Sequence, residues 1–107
     1  MHLISAGKLK EAAIAYSDAV EIVKNFAKKV ELSNWQNLIE VQADYRSAEA
    51  VGNFTVFNIK GNRYRLILSF AQRLGTRIDY EAQIAYFKYF LTHAEYSKDD
   101  WKNDPYY

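Results

Sequence analysis

Residues 54–70 read FTVFNIKGNRYRLILSF, and their pattern decides the fold class. Two runs rich in β-branched and aromatic residues flank Lys60-Gly61-Asn62, punctuation that closes a two-strand hairpin. Side chains alternate along a strand, so Tyr64, Leu66, Leu68 and Phe70 share one face, and Arg63, Arg65, Ile67 and Ser69 share the other. A third strand is predicted from about Gln83 to Leu91, after a longer loop that carries Arg73 and Arg77.

Upstream the period changes to that of a helix. Leu9, Ala12, Ala13 and Tyr16 recur at helical spacing, as do Val20, Val23, Phe26, Ala27 and Val30. Residues 5–31 are therefore expected to form two antiparallel helices packed as a hairpin. Ser17-Asp18 is a plausible N-cap for the second, with Glu21 placed for a capping box. Trp35 with Leu38, Ile39 and Val41 suggests an anchoring turn or short helix. Residues 42–50, QADYRSAEA, read as polar connection, and the tail over 95–107 as polar and solvated.

Helices followed by a meander of strands predict an α+β fold, with the helix pair covering one face of a small, mainly antiparallel sheet. The other face is expected to be open and polar. A chain of 107 residues, half of them hydrophobic, suits one domain spanning 1–107. Cysteine is absent, which excludes disulfides and thiolate metal sites. No secretory signal or spanning apolar run is evident, so a soluble, cytoplasmic protein without membrane contact is expected.

A net charge of +1 predicts little, but its distribution is uneven. Between Glu49 and Asp79 there is no acidic residue, while Lys60, Arg63, Arg65, Arg73 and Arg77 all fall there. Such a one-signed stretch reads as a surface for anions. Residues 92–104, THAEYSKDDWKND, add His93, the one histidine outside the N-terminal tip, with Tyr96 three residues on.

These residue types suit cleavage of an RNA phosphodiester by its own 2′-hydroxyl. That reaction needs a proton acceptor, a proton donor and positive charge on the phosphorane oxygens, and no metal if those are present. His93 has the right chemistry for either proton role. Lys60, Arg63 and Arg65 can supply charge, arginine by forking two phosphate oxygens. Tyr96 can stack on a base or donate a hydrogen bond. Plainer readings exist for each: a histidine at a strand end is often structural, Asn62 suits a turn, and a lysine at a hairpin tip is usually solvated. Phosphate-binding glycine loops and serine-centred elbows are absent from the sequence.

Several separated motifs resemble one family: the opening MHLISAGKLKEAA, Trp35, residues 51–67, and THAEY with DDWKND at 92–104. In this order they are similar to the HigB toxins of bacterial type II toxin–antitoxin systems, small RelE/ParE-like α+β domains. The resemblance implies an mRNA endonuclease acting without a cofactor, often on messages held by the ribosome. It implies a helix-turn-helix HigA-like antitoxin, through whose complex operator DNA is bound. The family's polar signature falls on Asn58, Lys60, Asn62, Tyr64, Arg65, His93 and Tyr96. Lys60 and Arg65 are expected to handle phosphate and transition-state charge, His93 to transfer protons and Tyr96 to position substrate. Asn58, Asn62, Arg63, Tyr64, Arg73 and Arg77 are expected to contact RNA. The loop AQRLGTRIDY at 71–80 is several residues longer than the tight turn the family implies. Competing readings are a decayed toxin that only grips its antitoxin and a ParE-like gyrase poison.

Overall fold

A computed structural model of the protein describes residues 1–70, 80 and 82–107. The long loop, with Arg73 and Arg77, lies outside the described residues. The elements run β1 (His2–Ile4), α1 (Ala6–Ile14), α2 (Val20–Leu32), α3 (Leu38–Asp44), β2 (Glu49–Val51), β3 (Phe54–Ile59), β4 (Tyr64–Phe70), β5 (Ile84–Thr92) and α4 (His93–Ser97), followed by a 3₁₀ turn, Asp100–Asn103. The strands form one mixed sheet in the order β1-β5-β4-β3-β2, in which only β1 and β5 are parallel. The fold is α+β. No helix among the described residues is long and apolar enough to cross a membrane.

The helix side of the sheet follows the apolar spacing. Leu9 and Ala13 of α1, and Val23, Phe26, Ala27 and Val30 of α2, are buried with Phe57, Ile59, Tyr64, Leu66, Leu68 and Phe70. Phe26 meets Phe57 edge-on at 4.9 Å between centroids, the offset geometry that aromatic quadrupoles favour. The side chain of Asn37 caps α3 by accepting from the Glu40 N–H, and Trp35 donates its indole N–H to Asp44 at 2.8 Å. Ile39, expected among the anchoring residues, instead points outward and is 77% exposed.

The opposite face departs from expectation. It is not an open polar surface: Phe54, Val56, Ile67 and Trp101 form a second buried cluster, joined by Tyr89, Leu91, Tyr96 and Tyr107. The cover comes from the tail, which was expected to be solvated. Trp101 is 4% exposed and stacks on Tyr96 at 5.1 Å and 15°. Asp104 receives the Tyr89 hydroxyl at 2.8 Å and pairs with Lys88 at 3.2 Å. The physical reason is that β3, β4 and the second half of β5 are apolar on both faces, which demands a layer on each.

Two local devices enable this second layer. In β5, Lys88 is an extra residue between the pairs Ile67–Tyr89 and Leu68–Phe87. Such a bulge reverses the alternation, so Phe87 and Phe90 face the helices while Tyr89 and Leu91 face the tail. The residues read as polar connection, 42–50, contain the end of α3 and the first two residues of β2. A two-residue turn, Gly52-Asn53, joins β2 to β3. Gly52 has φ +59° and lies beneath the Tyr107 ring, where an added Cβ would approach to 2.8 Å. Only glycine meets both demands.

Candidate RNA-cleaving site

The expected cationic set does not gather in one place. At the hairpin tip Lys60 and Gly61 both have positive φ, and Arg63 N–H returns to the Lys60 carbonyl at 3.3 Å. This tip divides its side chains between the two sides of the sheet.

On the helix side, three donors converge on Asp18 from the α1–α2 connection. Arg63 Nη1 lies 2.6 Å from Oδ2, Lys60 Nζ lies 3.7 Å from the same oxygen, and the Tyr64 hydroxyl donates to Oδ1 at 2.7 Å. Asp18 therefore does not cap α2. Ala19 occupies that position without a side-chain cap bond. The stretch that lacks acids in sequence has one supplied to it in space. Tyr64 is buried, with its ring stacked on Phe90 at 5.3 Å, so it is not presented to RNA.

The Tyr64 and Arg63 hydrogen bonds hold the Asp18 carboxyl below its ordinary range, and the same bond raises the Tyr64 phenol. A depressed folded pKa means that this contribution to stability is present above the ordinary carboxylate range and fades as pH falls through the folded value. Asp18→Asn is thus expected to lower the urea midpoint at pH 7, with the deficit shrinking below about pH 4. A deficit independent of pH would rule out the carboxylate charge as its origin.

Arg65 turns to the other face. It is 8% exposed, and all four of its terminal N–H groups find acceptors. Nη1 donates to the Asn62 carbonyl at 3.1 Å and the Tyr64 carbonyl at 3.2 Å. Nη2 donates to Asn62 Oδ1 and to His93 Nδ1, both at 3.2 Å. Guanidinium cannot accept, so Nδ1 must, and the imidazole proton sits on Nε2. Asn62 thus holds Arg65 through both its oxygens. Asn58 pairs with Arg65 across β3 and β4 and shares its face, and its backbone N–H donates to Ser47 Oγ at 3.2 Å.

His93 opens α4, and its backbone N–H donates to the Arg63 carbonyl at 2.9 Å. A capping box fixes this turn: Thr92 Oγ1 accepts from Glu95 N–H, and Glu95 Oε1 accepts from Thr92 N–H. The pattern Thr-His-Ala-Glu is a sequence signature of that box, and it was the available signal for a helix in the tail. Tyr96 lies one turn on, with the Arg65 guanidinium 5.3 Å from its ring centroid. Its ring is occupied by Trp101 and Arg65, which leaves the hydroxyl rather than the ring face for a substrate. Burial, and then the Glu49 carboxylate, push that phenol above its ordinary pKa. Glu49 was not among the residues singled out in sequence.

Asn58, Asn62, Arg65, His93 and Tyr96 are thereby brought together, whereas Lys60, Arg63 and Tyr64 are drawn away. The site is surface rather than cavity. A hollow of about 730 Å³ lined by residues such as Ser69, Tyr86, Lys88 and Tyr106 includes none of them. No group of three residues that could hold a metal occurs among the described residues.

A family model of the HigB toxin, described as the RelE-like toxic component of a toxin–antitoxin system, matches residues 19–99. The chain belongs to the HigB toxin family. No curated protein matches it. The match contains every residue singled out above for chemistry in this HigB-family toxin, from Asn58 to Tyr96. The opening MHLISAGKLKEAA and the DDWKND segment, which also carried the resemblance, lie wholly or almost wholly outside it. Membership implies an antitoxin as partner.

Proposed function

We propose that this HigB-family toxin is an mRNA endonuclease that cleaves transcripts on the ribosome in the cytoplasm. In this reading it works without a metal and is neutralised by a HigA-like helix-turn-helix antitoxin, whose complex with the toxin represses their operon. The observation that carries the reading is the convergence of Arg65, His93 and Tyr96 on one face, next to the hairpin tip. The two bonds of Arg65 Nη2 go to side chains of exposed residues, Asn62 and His93. A scissile phosphate arriving there competes for Nη2, because a charged acceptor binds guanidinium more strongly than a neutral imidazole does. Arg65 then neutralises phosphorane charge, and His93 Nδ1 becomes free to carry a proton. The Tyr96 hydroxyl orients the substrate. Lys60 and Arg63, held by Asp18, contribute through the general field of the tip.

The test is induction of the wild type and of His93→Ala in cells without the antitoxin. The wild type should arrest growth and leave cut transcripts. Loss of a proton-transfer group typically costs ~10²–10⁴-fold in rate, so His93→Ala should abolish both effects. Equal toxicity of the variant would remove His93 from the mechanism. Intact transcripts beside broken DNA would favour a gyrase poison.

A further inference from the structure

Two protons move in the proposed cleavage, and the residues named so far provide poorly for the first. When the phosphate draws Arg65 away from His93 Nδ1, that nitrogen carries the proton for the leaving oxygen and Nε2 already carries hydrogen, so the imidazole that serves as donor cannot also accept the first proton. The Tyr96 phenol stays protonated, and arginine does not give up its proton in proteins. The site needs an acceptor for the 2′-hydroxyl proton.

The register of β2 places one there. Glu49 lies directly opposite Val56 of β3, and directly paired residues project to the same face of a sheet. Val56 belongs to the second cluster, with Ile67 and Trp101, so Glu49 shares the face of Asn58, Arg65 and Tyr96. After burial, its charge is the largest influence on the Tyr96 phenol. The neighbouring acids are committed: Glu95 to the α4 cap, Asp99 to Lys102 at 3.2 Å, and Asp104 to Lys88 and Tyr89. Glu49 is exposed, and among the described residues its side chain makes no hydrogen bond or ion pair.

We propose that Glu49 is the catalytic proton acceptor for the 2′-hydroxyl of the RNA, an inference that rests on the ribonuclease reading above. The 2′-oxygen bonds to phosphorus as its proton passes to a Glu49 oxygen. The bond from phosphorus to the 5′-oxygen then breaks. The departing oxygen takes the Nδ1 proton that His93 draws from solvent once Arg65 has moved onto the phosphate. The products are a 2′,3′-cyclic phosphate and a 5′-hydroxyl, and solvent restores both proton states.

The experiment compares full-length wild type, E49Q and E49D, freed from the antitoxin, in single-turnover cleavage of mRNA on programmed ribosomes. Binding is measured with the same mRNA carrying a 2′-deoxy sugar at the cut site. E49Q is expected to cleave at least ~100-fold more slowly while binding the deoxy message and melting like the wild type, with E49D recovering part of the rate. Cleavage by E49Q near the wild-type rate overturns Glu49 and leaves the ribonuclease reading intact. Parallel loss of binding and cleavage also overturns it, in favour of a residue that holds RNA. A wild type that leaves the message whole overturns the ribonuclease reading itself, and Glu49 with it.

Discussion

Arg65→Lys is expected to slow RNA cleavage on the order of 10²–10³-fold, the usual cost of losing a preorganised donor aimed at developing negative charge. The substitution keeps the charge and removes the plane. Four N–H groups meet four acceptors at 3.1–3.2 Å around Arg65, whereas an ammonium offers three donors on a flexible stem. Lysine cannot hold Asn62, the Tyr64 carbonyl and His93 together, so the imidazole loses its fixed tautomer as the phosphate loses its fork. Loss of the bond to the buried Tyr64 carbonyl would cost about 1–3 kcal/mol of stability. Cleavage per folded molecule, with a thermal melt beside it, separates the two effects. A lysine variant within tenfold of the wild type would mean that charge alone suffices.

Trp101→Ala is expected to be the most destabilising change outside the helix-side core. The indole is 4% exposed, stacks on Tyr96, packs near Phe54 and Tyr107, and donates to the Tyr96 carbonyl at 3.0 Å. Truncating a buried tryptophan costs about 3–5 kcal/mol. At 3 kcal/mol the melting midpoint falls by roughly 12–24 °C for a chain of this size. Trp101→Phe should recover much of that. A loss below about 1 kcal/mol would show that the tail does not close the second face in solution. Because Trp101 seats Tyr96, the alanine variant should also cleave more slowly at temperatures where it remains folded.

Much of the architecture is legible in local pattern. Of the residues that helical spacing picked out, Leu9, Ala13, Val23, Phe26, Ala27 and Val30 are buried, and Ala12, Tyr16 and Val20 are partly so. Alternation on β4 separated Tyr64, Leu66, Leu68 and Phe70 from Arg65 and Ile67, as the two clusters do. The packing of the tail is not legible because its aromatic residues, Trp101 with Tyr96, Tyr106 and Tyr107, are scattered among acids and lysines, too sparse to show a period. The short strands His2–Ile4 and Glu49–Val51 are likewise too brief for alternation to register. The Gly-Asn pair at 52–53 was the one available sign of the second hairpin.

Periodicity and motif order, both local properties of the chain, determined the class of fold and the family, and offered Lys60, Arg65, His93 and Tyr96 as candidates for the chemistry. Tertiary structure alone decided which charges share a face. Asp18 reaches Arg63 across 45 positions, Arg65 reaches His93 across 28, and Glu49 joins them through strand register. Side-chain direction repeats every two or 3.6 residues and can be read along a sequence. Charges act through space, and only the packed sheet sets those distances: it withdrew Lys60 and Arg63 toward Asp18 and left Arg65 facing His93.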